Sequence, residues 1–454
     1  MLRRLLVLLT ALFLLVPAHA EFRSLLILHT NDLHDHLRPD YDGRGGLPYV
    51  AGYIAGQRTS RKDILLLDAG DVMEKGDLVA HKTRSQFSYE LMARIGYDVV
   101  TVGNHDFAYG VEHLKECLAL LGGTDVVCAN VTDDQDNPLF RASAIREING
   151  IRVGIVGLLT ETDDARVLSW ENTVKTLKAE AARLKEGADL LIALVHLGKR
   201  ECLALARECP EIGLFIGGHS HEILKEPVRA ESGAWITQAG SYGEYVGRVE
   251  MEVDPETRQV RYQSAGLVEM DHRAISPDTE MIAMITEREK QVCPEASVVL
   301  GRADSGLGVG ELARLAARAF ARAGGADLGC CHAGVIFRDS LPAGVVDMNA
   351  VFRTGGQRGE TLIRARLRGE SLKRYQEELT REKKGQTTMA GAGGNVETDA
   401  LDPSREYNVI MPEREWTSRL VKVLGKEAVP GAAPVEFTFT DALAGELRAV
   451  LQPL

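Results

Sequence analysis

The 454-residue chain is poor in cysteine, and its seven thiols (Cys117, Cys128, Cys202, Cys209, Cys293, Cys330 and Cys331) are too few and too scattered to staple a protein of this length. A disulfide framework is therefore excluded and a packed core has to stabilise the fold. One or two bridges stay open, and the odd count leaves at least one thiol unpaired. Basic residues are in the minority, 53 Lys and Arg against 65 Asp and Glu for a net charge of -12, and they form no block. That excludes a general binder of nucleic acid polymers, which needs clustered cations to track a phosphate backbone. After the N-terminus there is no apolar run of membrane-spanning length. What is present, 45% apolar and 26% charged residues, is the composition of a soluble globular protein with room for two domains.

The first twenty residues read as an export signal: Arg3 and Arg4, an apolar run from Leu5 to Val16, then the small-residue site Ala18-His19-Ala20 before Glu21. The run is shorter than the roughly 20 residues that cross a bilayer. No cysteine follows the cleavage site to accept a lipid. A mature protein starting near Glu21, periplasmic or secreted and free of the membrane, is expected.

From residue 24 to 216, short apolar runs (25–28, 64–67, 99–102, 153–156, 190–195 and 214–216) alternate with helical patterns, which predicts a layered α/β domain with buried strands. Alternating segments at 235–239, 246–253 and 259–268 close it. A helical pattern over 277–292, with Ser276 as N-cap and Pro277 at the first helical position, reads as a connector. The predicted organisation is a signal peptide (1–20), a first domain (21–272), a linker helix (273–296) and a second domain (297–454). The second domain is expected to contain a helix over 310–323, a strand over 362–367, a helix from Glu370 and a glycine-rich loop at 390–394.

Five polar motifs sit immediately after the apolar runs: His29-Thr30-Asn31-Asp32-Leu33-His34, Asp68-Ala69-Gly70-Asp71, Gly103-Asn104-His105-Asp106, Val195-His196-Leu197-Gly198 and Gly217-Gly218-His219-Ser220-His221. Each presents oxygen or imidazole nitrogen where α/β folds place their sites. Borderline divalent ions such as Zn²⁺ and Mn²⁺ accept that mixture, whereas a thiolate site needs Cys and a Ca²⁺ loop needs oxygen alone. One Asp-x-His is weak evidence; five motifs in this order are strong.

The ordered set resembles the calcineurin-like metallophosphoesterases, specifically the 5'-nucleotidase family. The opening motif from Ile27 to His34 and the closing Gly218-His219-Ser220-His221 carry the likeness, with Arg338-Asp339-Ser340-Leu341-Pro342-Ala343-Gly344 and the 362–372 stretch in the second half. The resemblance implies a four-layer α/β sandwich followed by a smaller α/β C-terminal substrate domain. It also implies two divalent metal ions: Asp32, His34 and His221 on one, Asn104, His196 and His219 on the other, and Asp71 bridging. Two cations roughly 4 Å apart polarise a phosphoryl group and acidify water, which agrees with such a set. His105, next to Asn104, is the candidate for stabilising the transferring group or protonating the leaving oxygen.

The chain departs from that family in two places. The usual Gly-Asn-His-Glu-Phe-Asp reads Gly103-Asn104-His105-Asp106-Phe107-Ala108, so Ala108 stands where an Asp pairs with the histidine, and Asp106 is poorly placed to replace it. In the second half Arg338 carries over as the phosphate-binding arginine and Phe352 as one base-stacking face. The second aromatic is absent, and Trp416 in its place is expected to pack in the core. Cys330-Cys331-His332 reads as structural, Arg364, Arg366 and Arg368 as the solvated face of a strand, and His36, His81 and His113 as surface residues.

The resulting expectation is an exported two-metal phosphomonoesterase acting on nucleotides or related phosphorylated small molecules. A hydrolase of another ester (cyclic nucleotide, nucleotide sugar or sulfur ester) and a weakly active, metal-dependent anion-binding protein are the alternatives.

Overall fold

The computed structural model describes residues 22–453 except 41, 383, 384, 386 and 426–430. The expected export signal, residues 1–20, lies outside the described residues.

Two six-stranded sheets form the centre of the first half. One runs in the order Val260–Glu269, Tyr245–Val253, Arg23–Thr30, Ile64–Asp68, Val99–Val100 and Asp125–Val126. The other runs Val228–Arg229, Trp235–Thr237, Leu214–Ile216, Leu190–His196, Ile151–Leu159 and Ser143–Ile148. Strand periodicity explains why they stack. Leu25, Ile27, Leu65 and Leu67 point inward against Val153, Ile155, Ile192 and Leu194 from the second sheet. The alternate residues Leu26, Leu28 and Leu66 face outward onto the helices Leu47–Ser60 and Gln86–Ile95. Val156, Leu158, Leu191 and Ala193 likewise face Trp170–Lys185 and Lys199–Glu208. The expected helix–sheet–sheet–helix sandwich is the observed one.

Register then sets where the motifs emerge. Thr30 pairs with Asp68 and Asp68 with Val100, so three parallel strands end level with one another. In the second sheet Ile216 pairs with Leu194, two residues before His196 ends its strand. Every motif therefore leaves its strand on the same edge of the sandwich.

The helix Thr279–Val292 forms, but its N-cap is Asp278, which accepts the Met281 N–H at 3.0 Å, rather than Ser276. Its Met281 and Ile285 belong to the core of the first half. The C-terminal half has its own six-stranded sheet: Gly394–Asn395, Thr387–Gly391, Leu328–His332, Glu406–Pro412, Leu362–Arg368 and Ala433–Pro434. Helix Val309–Gly324 covers one face and Gly369–Arg381 the other. Adjacent cysteines point opposite ways, as the strand period requires: Cys331 packs under the first helix and Cys330 under the second.

Three expectations need correction. Residues 390–394 are a hairpin rather than a loop, because Ala390 pairs with Asn395 and Gly391 with Gly394. Val99–Val100 stops two residues early, since Thr101 and Val102 already belong to the turn feeding Gly103. All seven cysteines are free and buried, so none of the bridges left open by sequence forms.

Candidate metal centre

The seven residues implied as ligands converge at the shared strand edge. Asp32, His34, Asp71 and His196 are buried, while Asn104, His219 and His221 form the wetter rim. Donor atoms of Asp32, His34 and His221 lie within 4.8 Å of one another, and so do those of Asp32, Asp71 and His196. Asp71 Oδ2 stands 3.1 Å from His196 Nε2 and 3.5 Å from His34 Nε2, between the two groups. Asp32 Oδ1 is 3.2 Å from His221 Nε2 and 3.9 Å from His196 Nε2, so it also reaches both. Asn104 Oδ1 meets His219 Nδ1 at 3.0 Å, and the His219 ring lies edge-on to His196 with centroids 5.4 Å apart.

The local backbone is bent to make this possible. Asp32, His34, Asp71, His219 and His221 all have positive φ, between 48° and 68°, a conformation non-glycine residues adopt rarely. Gly103 supplies clearance, because a Cβ there would stand 2.1 Å from Asp71 Oδ1.

The donor set fits a pair of cations. His34 Nδ1 donates to Met73 O at 3.0 Å and His196 Nδ1 to Ala69 O at 2.8 Å, which fixes both rings with Nε2 bare and turned inward. His34 Nε2 and His221 Nε2 face each other at 3.1 Å. Among the described residues, the buried His196 Nε2 has no hydrogen-bond partner. Imidazole nitrogens crowded on one point beside two carboxylates are what a cation would satisfy.

Asp106 is not a partner of His105. Its buried carboxylate accepts from the N–H groups of Gly103 (2.7 Å), Asp71 (3.0 Å), Val72 (2.8 Å) and Met73 (3.1 Å), tying two ligand loops together. Ala108 is exposed. The carboxylate hydrogen-bonded to His105 Nδ1 is instead Glu74. Burial works against its charge, but His105, Arg338 and Lys75 keep its carboxyl below the usual range.

Arg338 stands beside Glu74 and Lys75. Burial, with Arg358 and Arg414 nearby, pushes its guanidinium down to about 10, while Glu74 and Tyr242 act the other way. Lys75 Nζ is 2.9 Å from His34 Nε2. Phe352 does not face the site. It is 2% exposed, packs into the core of the first half and lies against His81 at 5.2 Å, because it plugs the seam between the halves. Trp416 is in the C-terminal core.

The three histidines expected at the surface are not there. His36 is buried, stacked on Tyr242 with centroids 3.9 Å apart and in contact with Arg353 at 2.5 Å. His113 is buried and donates to Arg84 O at 2.7 Å, and His81 is half-buried. Their neighbours come from distant parts of the chain.

Sequence reasoning also missed Glu74, Lys75, Tyr242, Gln357, Arg358 and Arg414. Only the first two left a signal: an acid and a base three and four residues after Asp71, in a loop that follows a strand end.

The calcineurin-like phosphoesterase family matches residues 25–222. The chain is 28% identical over 329 residues to endonuclease YhcR of Bacillus subtilis (strain 168), spanning 63% of this chain and 26% of that protein. It is 29% identical over 295 residues to a 5'-nucleotidase of Mus musculus, spanning 54% of this chain and 50% of that one. The matches thus extend over a quarter to a half of these relatives' length. The fold is shared with a 5'-nucleotidase precursor from Thermus thermophilus, at a TM-score of 0.73 and 22% identity over 95% of this chain and 97% of the other. Residues 25–222 are accordingly a calcineurin-like metallophosphoesterase domain, in a chain whose relatives and fold neighbours include 5'-nucleotidases.

Proposed function

We propose that the protein is an exported, two-metal phosphomonoesterase of the 5'-nucleotidase kind, acting on nucleotides or related phosphorylated small molecules in the periplasm or outside the cell. The observation that carries this reading is the convergence of Asp32, His34, Asp71, Asn104, His196, His219 and His221 on one strand edge, with Asp71 reaching the histidines of both donor groups. When bound, two Zn²⁺ or Mn²⁺ ions supply Lewis-acid polarisation of a phosphoryl group and acidification of water. Around them the chain's own residues do the rest. Arg338, crowded by Arg358 and Arg414, attracts the anionic substrate to the cleft. His105 delivers a proton to the leaving oxygen as its bond to phosphorus breaks, while the oxygen of water bonds to phosphorus and sheds a proton to solvent. We assign residues 21–272 to the catalytic domain, 273–296 to the linker and 297–454 to the domain that sets specificity.

One observation favours a second reading of the substrate. Both aromatics available for a nucleoside clamp, Phe352 and Trp416, are buried in cores. An ester whose alcohol part is not a nucleoside, or a sulfur ester, fits that arrangement. The test is the metal-loaded protein screened against nucleotides, cyclic nucleotides, nucleotide sugars, a sulfur ester and an aryl phosphate. Turnover of nucleoside monophosphates supports the first reading. Turnover of the aryl phosphate without nucleotides keeps the chemistry and removes the nucleoside. No turnover of anything, with two metals bound, leaves the anion-binding alternative and ends the phosphoesterase reading.

A further inference from the structure

We infer that Glu74 is the positioning residue for His105, replacing the carboxylate that this chain lacks at Ala108, and that Gln357 from the C-terminal half holds Glu74 in place. The inference rests on the proposed role of His105 in ester hydrolysis.

Three observations support it. First, the other candidates are excluded by geometry. Ala108 has no polar atom, and both oxygens of Asp106 are occupied by N–H groups from Gly103, Asp71, Val72 and Met73. Second, Glu74 Oε2 contacts His105 Nδ1, and the longer Glu side chain makes that reach from a neighbouring loop. A ring whose Nδ1–H donates to a carboxylate is fixed in orientation and tautomer, which leaves Nε2 as its remaining proton site. Both side chains are about a quarter exposed, Glu74 at 25% and His105 at 24%, so the pair borders the open cleft rather than the core.

Third, Glu74 is fixed from two sides. Its own N–H donates to Asp35 Oδ2 at 2.7 Å, and Glu74 and Lys75 are both left-handed, with φ of 67° and 79°. On the other side Gln357 Nε2 donates to Glu74 Oε1 at 3.3 Å, while Gln357 Oε1 accepts the Lys75 N–H at 2.7 Å. One amide group thus grips two consecutive residues and leaves one carboxylate oxygen for Gln357 and the other for His105. The carboxylate that orients the proton donor belongs to the first half of the chain, but its final hydrogen bond comes from the second. The pair is complete only when the two halves are seated against each other.

The test uses the full-length, metal-loaded enzyme and the variants Glu74→Ala, Gln357→Ala and Glu74→Ala/Ala108→Asp. It compares p-nitrophenyl phosphate, whose leaving group departs without help, with an alkyl phosphate that needs a proton. Glu74→Ala is expected to lower kcat on the alkyl phosphate about 10²-fold. KM should stay within about twofold, both metals should be retained by elemental analysis, and p-nitrophenyl phosphate should suffer much less. Gln357→Ala should reproduce the pattern at about a tenth of the size. Adding Ala108→Asp to Glu74→Ala should recover at least about tenfold of the lost kcat. A purely structural role for Glu74 would not change the dependence on leaving group. Unchanged kcat in Glu74→Ala, equal losses on both substrates, or a loss that tracks metal content overturns the inference while leaving the phosphoesterase reading intact. Should Glu74→Ala fail to fold, Gln357→Ala reads the same dependence, and its equal effect on both substrates overturns the inference too. A wild-type enzyme inert on every ester ends both.

Discussion

Asp106 shows how much one residue decides in this site. It follows His105 directly and sits in the motif, yet its carboxylate serves the backbone of two loops and not the histidine. Tyr89 Oη adds a further donor at 3.2 Å. A carboxylate surrounded by N–H donors is hard to replace, because an amide would turn one of its own donors against them. Asp106→Asn is expected to destabilise the protein by about 3 kcal/mol, measured by urea denaturation, and to loosen metal binding because Asp71 hangs on the same loop. A change below about 1 kcal/mol would show that other contacts hold the loop. Residue identity was legible in the sequence for the seven donors, since each follows an apolar strand and strand ends carry the sites of α/β folds. The meeting of Glu74 with Gln357 was not, because the two lie 283 residues apart and no local pattern encodes it.

At the scale of elements, the short helix Met348–Val351 joins the halves. Asn349 Nδ2 donates to Asp77 Oδ1 at 2.7 Å and its Oδ1 accepts the Leu78 N–H at 2.8 Å. Asp77 is itself fully buried and accepts from the Leu37 and Arg38 N–H groups through its other oxygen. Nearby, Arg353 contacts Asp40 and Arg38 contacts Asp347 at 3.2 Å. At Asp77 and Asn349 the seam is therefore polar with its hydrogen bonds made, which is the condition for burying such groups. Asn349→Ala strands an Asp77 oxygen and the Leu78 N–H, and a loss of about 2 kcal/mol is expected in the same denaturation assay. If stability is unchanged, the seam is held by its apolar plug at Phe352 instead. Strand positions were readable because apolar runs of three to six residues are local signals. The seam was not, and this is why Phe352, His36 and His81 read from sequence as a substrate face or as solvated residues: Phe352 and His36 are buried and His81 half-buried by residues from the opposite half or from a distant loop.

At the scale of the whole molecule, the candidate metal centre is expected to bear on stability as well as on chemistry. Asp32, His34, Asp71 and His196 are buried and bring two carboxylates and two imidazoles together from three strand ends. An ion that binds only the folded state adds stability by mass action, about 2.7 kcal/mol at a hundred times its Kd. Chelation is expected to lower Tm by several degrees in scanning calorimetry, and Zn²⁺ or Mn²⁺ to restore it. A Tm indifferent to chelator would mean that the folded protein does not rely on this cluster to hold its strand ends together.

The seven buried thiols have a consequence of a different kind. They are spread through the layers: Cys117 among the helices outside the first sheet, Cys202 and Cys209 outside the second, Cys293 after the connecting helix, and Cys330 and Cys331 on opposite faces of the C-terminal sheet. Burial pushes the thiols of Cys117, Cys128 and Cys293 up to about 12, and Cys209 up to about 11, so the folded state offers a labelling reagent almost no thiolate. Modification then has to wait for each layer to open. The native cysteines are a set of clocks distributed through the protein, and their separate rates of alkylation would time the breathing of one layer against another.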